Sequence, residues 1–62
     1  MNNQDKAALY DELLRESDRL QRINSKFKSE YVTNVPPNIQ QEIDKNNQMI
    51  GHLVSRLEAL LR

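Results

Sequence analysis

The stretch YVTNVPPNIQQ, residues 31–41, restricts the possible folds of this chain more than any other, because Pro36 and Pro37 stand side by side between two segments that otherwise read as helix. Proline has no backbone N–H to donate and its ring clashes with the preceding turn, so no helix continues through the pair. Pro36 also holds Val35 in an extended conformation, whereas Pro37 suits the first turn of a new helix, where a missing donor costs nothing. Thr33 and Asn34 are good entry residues for such a turn. The spacing predicts a first helix over about 5–31, a connection over about 32–36 and a second helix over about 37–62, each helix about 26 residues or ~39 Å long. Asn2 or Asn3 is the expected N-cap of the first helix, with Asp5 favourably placed near the positive end of its dipole.

The apolar residues recur with helical period on both sides of the break. In the first segment Leu13, Leu20 and Phe27 fall at heptad position a, and Leu9, Glu16, Ile23 and Glu30 at d. Tyr10, Ser17, Asn24 and Tyr31 fall at the neighbouring e position, so tyrosines broaden the stripe at its two ends while its middle stays narrow. The second segment is cleaner: Ile43, Ile50 and Leu57 at a, Ile39, Asn46, Leu53 and Leu60 at d, and Val54 and Leu61 at e. Asn46 alone interrupts that seam. A buried amide is expected there only if it hydrogen-bonds across an interface, to Gln21 or to its own copy, and so fixes register. On that reading Asn46→Leu raises the melting temperature and alters the assembly; the alternative is an Asn46 turned to solvent.

Two helices of equal length joined by a short connection are expected to fold back as an antiparallel all-α hairpin. Folding about the break pairs residues whose numbers sum to roughly 67, bringing Leu53 near Leu13 and Leu14, Leu57 near Tyr10, and Ile43 near Ile23 and Asn24. Ser17 then faces the neighbourhood of Gly51, and close helix approach is the expected reason for a glycine in a helix interior. With 62 residues, no cysteine and a single histidine, His52, the chain has neither a disulfide nor an ordinary metal site to stabilise it. Association is what remains. Two hairpins packed together bury Tyr10, Leu14, Phe27, Val54 and Leu61, so the expected assembly is a homodimeric four-helix bundle, or a hairpin completed by helices of a partner protein. A parallel coiled coil through the second helix is the competing topology.

The search for chemistry is mostly negative. His52 falls at an outer c position, one glycine cannot make a phosphate loop, and the serines have no histidine and carboxylate arranged around them. No enzyme activity, cofactor or small-molecule ligand is expected. Nine basic and nine acidic residues balance to a net charge of zero, so no global field attracts nucleic acid. Locally, Arg15, Arg19, Arg22 and Lys26 form a basic ridge opposite Leu13 and Leu20, interleaved with Asp11, Glu12, Glu16 and Asp18 at ion-pairing spacing. In size and architecture the expected fold is similar to the helical-hairpin dimers of the plasmid-encoded Rop type, which bind RNA, and that likeness makes a small nucleic-acid-binding regulator using this ridge the alternative function. Leu9, Leu13, Ser17-Asp18 and Leu20 also resemble the spacing of peptide helices that dock in apolar grooves, with Glu16 where that pattern has an apolar residue. No segment is apolar enough to span a membrane or to serve as a signal peptide, so a soluble protein is expected, cytoplasmic by default with the nucleus open. The chain ends on LEALLR, mid-stripe and without a glycine cap or proline stop, the pattern expected of a fragment of something longer. The function expected is protein–protein association through the apolar helix faces.

Overall fold

The computed structural model describes residues 2–62, which form two α-helices and no strand: α1, Asn3–Glu30, and α2, Pro37–Leu60. They pack antiparallel as a hairpin of 47 × 15 × 14 Å. Asn2 caps α1, its side-chain oxygen accepting from the Asp5 N–H at 2.8 Å. The helix ends at Tyr31, which leaves helical geometry at φ −117°, ψ 62° while its N–H still donates to the Phe27 carbonyl. Pro36 is extended at φ −60°, ψ 150°, and α2 begins at Pro37 without a side-chain cap. The proline there removes one of the donors that a cap would otherwise have to satisfy. Neither helix is long and apolar enough to cross a membrane.

The buried stripe of α2 is the a/d seam expected: Ile43, Leu53 and Leu57 are buried and Ile39, Asn46, Ile50 and Leu60 half-buried. The stripe of α1 is rotated by one position. Leu13, Ser17, Leu20 and Asn24 are the buried residues, flanked along the same line by half-buried Tyr10, Phe27 and Tyr31. These are a and e positions; Leu9, Glu16 and Ile23 at d lie on the edge and Glu30 is exposed. The rotation has a simple cause, since a seam through d would have buried Glu16 and Glu30, whereas a seam through e buries a serine and an asparagine that can be hydrogen-bonded. Leu13, Leu20, Leu53 and Leu57 make the apolar core, with Leu9, Tyr10, Ile50 and Leu60 packed on it. Each such leucine contributes about 1.5–3 kcal/mol of hydrophobic stabilisation.

The register also departs from the symmetric fold. Asn24 pairs with Asn46 and Asn47, numbers that sum to 70 and 71. Relative to a sum of roughly 67, α2 is advanced by about one helical turn, or ~5 Å. Its first turn therefore overhangs the end of α1, and the start of α1 runs on past the end of α2. One expectation fails outright. Gly51 is exposed, and a Cβ built on it meets nothing within 4 Å, so close approach within the hairpin is not its reason.

Candidate functional site

Three surfaces follow from this packing, and each carries residues that the sequence singles out. The first is the basic ridge. The α1 seam turns Arg15, Arg19 and Arg22 away from α2, and each is taken up by an acid one turn earlier: Arg15 with Asp11 at 3.0 Å, Arg22 with Asp18 at 2.9 Å, and Arg19 in a two-pronged pair with Glu16. The hydrogen bond from Arg19 holds the Glu16 carboxyl below its ordinary value, and the same bond raises the Arg19 guanidinium above its own. Three of the four ridge cations thus stand beside a carboxylate; Lys26 is exposed. A surface of alternating sign offers a phosphate backbone little net attraction.

The second surface is the helix interface itself. Leu13, Ser17 and Leu20 are buried against α2, so the groove-docking spacing in α1 is spent on the hairpin's own core. Next to that core lies an amide cluster. Asn24 donates through Nδ2 to the Asn47 side-chain oxygen at 3.0 Å and accepts through Oδ1 from Asn46 Nδ2 at 2.9 Å. Gln21, the partner expected for Asn46, donates instead to the Ser17 hydroxyl at 3.3 Å. Among the described residues no buried side-chain polar atom is left without a partner. Asn24 was legible only as a polar edge residue, because nothing in a one-helix pattern shows that two asparagines wait on the other helix.

The third surface is apolar and open. At ~100° per residue, Tyr10 and Leu14 of α1 and Val54 and Leu61 of α2 lie on one side of the plane through the two helix axes. A shallow groove there is lined by Lys6, Ala7, Ala8, Tyr10, Asp11, Leu60 and Leu61. The groove on the opposite side is walled by Glu12, Glu16 and Arg56 over a floor of Leu9, Leu13 and Leu53. Phe27 and Ile23 belong to that second side, both half-buried. His52 is exposed, and among the described residues no group of histidines and acids is gathered as a metal site. The chain matches no protein-family model, no curated protein and no solved structure.

Proposed function

We propose that this chain is a non-enzymatic association module, a helical hairpin that pairs with a second copy through its apolar faces to complete a four-helix bundle, acting in the cytoplasm. The observation that carries the reading is incomplete burial. A compact monomer of 7.3 kDa is expected to expose about 4,200 Å², whereas the hairpin exposes 4980 Å². The excess of about 800 Å² equals one partner's share of an ordinary specific interface. Large apolar side chains stay exposed, Leu14 at 46%, Val54 at 39% and Leu61 at 72%, and among the described residues no side chain is completely enclosed. Helices of another protein could cover the same faces; the net charge of zero and the chain's own matching apolar side favour a second copy.

The test is mass by sedimentation equilibrium together with helix melting over a roughly hundred-fold concentration range. Twice 7.3 kDa and a melting temperature that rises with concentration are expected. A well-folded monomer whose melting ignores concentration refutes the reading. Binding of RNA or DNA that is tight at physiological salt and falls steeply with added salt would move the assignment to the Arg15–Lys26 ridge.

A further inference from the structure

We infer that the second copy seats on one particular side of the hairpin, the side of Tyr10, Leu14, Val54 and Leu61, and that Gly51 is the point where its helix comes closest. The inference rests on the self-association reading above and adds which surface is used. Leu14, Val54 and Leu61, three of the five large apolar residues that remain exposed among the described residues, share this side. Charge does not separate the two sides, since Lys6, Asp11 and Glu58 stand on this one and Glu12, Glu16 and Arg56 on the other; the exposed apolar side chains do. Gly51 adds a separate observation. It precedes Val54, Glu58 and Leu61 at helical spacings of three, four and three, so it belongs to the same stripe.

A glycine in the interior of α2 lowers the folding equilibrium by a factor of about two to five relative to alanine. Nothing within the chain explains keeping it. Its backbone is ordinary right-handed helix, and a Cβ would meet no atom within 4 Å. A neighbouring helix that approaches too closely to admit a side chain does explain it. The geometry also suits a two-fold: a symmetric dimer must bring a patch against its own copy, and here apolar residues of both helices lie at one end of one side, so apolar meets apolar. Taken over the whole elongated hairpin, the excess exposure of about 800 Å² is of the size that one partner buries in an ordinary pairing.

The experiment compares wild type with three variants by sedimentation equilibrium and by melting at high dilution. Gly51→Ala is expected to melt higher than wild type when dissociated, because alanine is the better helix former, yet to dissociate about ten-fold or more readily, because a methyl group overfills the contact. Leu14→Glu combined with Val54→Glu, both at exposed positions, is expected to abolish the dimer while keeping the helix signal, and Met49→Glu on the opposite side to leave the dissociation constant unchanged. A Gly51→Ala protein that is both more stable and equally well associated overturns the inference, as does a dimer lost with Met49→Glu and kept with Leu14→Glu/Val54→Glu. In either case self-association itself stands. A wild type that is monomeric throughout instead overturns the reading beneath it, and this inference with it.

Discussion

Replacing Asn46 by leucine separates an amide held inside one hairpin from an amide facing solvent or a second copy. In the structure Asn46 Nδ2 is the donor to Asn24 Oδ1 at 2.9 Å, and Asn24 is only 5% exposed. Removing that donor leaves a buried oxygen without its partner, at a cost of about 1–3 kcal/mol. A leucine at the half-buried position returns about 1 kcal/mol of apolar burial. The net effect is a loss of about 1 kcal/mol, or a melting temperature lower by about 4–8 °C for a domain of this size. The sequence alone suggested the opposite sign, because it saw the buried apolar area and not the oxygen left behind. Asn24→Leu combined with Asn46→Leu removes both amides and is expected to recover the loss and exceed wild type by about 1–2 kcal/mol. Helix melting of wild type, both single variants and the double variant at one protein concentration closes the cycle, with a coupling of about 1–3 kcal/mol expected. Assembly mass should not change with Asn46→Leu. If Asn46→Leu alone stabilises the protein and the coupling is below about 0.5 kcal/mol, the amide cluster does not hold the hairpin and the register argument fails with it.

Asn2→Ala removes the acceptor for the Asp5 N–H and is expected to cost about 1 kcal/mol, seen as a lower melting temperature with the α2 half unaffected in hydrogen exchange. At Ser17, which is 4% exposed and faces the core, alanine is expected to be within about 0.5 kcal/mol of wild type because the exposed Gln21 can turn to water, whereas leucine should cost about 1–3 kcal/mol by overpacking. Carboxyl titration by NMR should place Glu16 below the ordinary glutamate value, because Arg19 hydrogen-bonds its carboxylate, and Arg19→Gln should return it towards that value. Because folding lowers this pKa, the stabilisation is complete above the unfolded glutamate value and is lost as pH falls through the folded one, so the wild type should lose more stability on acidification than Arg19→Gln does.

Much of this molecule is decided by local chemistry and is readable without any structure. Adjacent prolines forbid a continuous helix whatever surrounds them, Asn2 caps because its side chain reaches a free N–H three residues on, and the a/d seam of α2 is unambiguous because its apolar residues keep to one line. The helix α1 offers apolar residues at a, d and e alike, so its own pattern leaves the buried line undetermined within one position. Only contact with α2 resolves it. Asn46 and Asn47 present a donor and an acceptor at one level, Asn24 at e can satisfy both, and Glu16 at d must keep access to water and to Arg19. The same contact sets the advance of α2 by a turn, whereas the outward position of Gly51 already follows from the α2 seam, on which it falls at b beside the outer His52. Periodicity reports how a helix would bury itself against an unspecified partner; rotation and register belong to the pair, because they are set by hydrogen bonds and packing between side chains more than twenty residues apart in sequence.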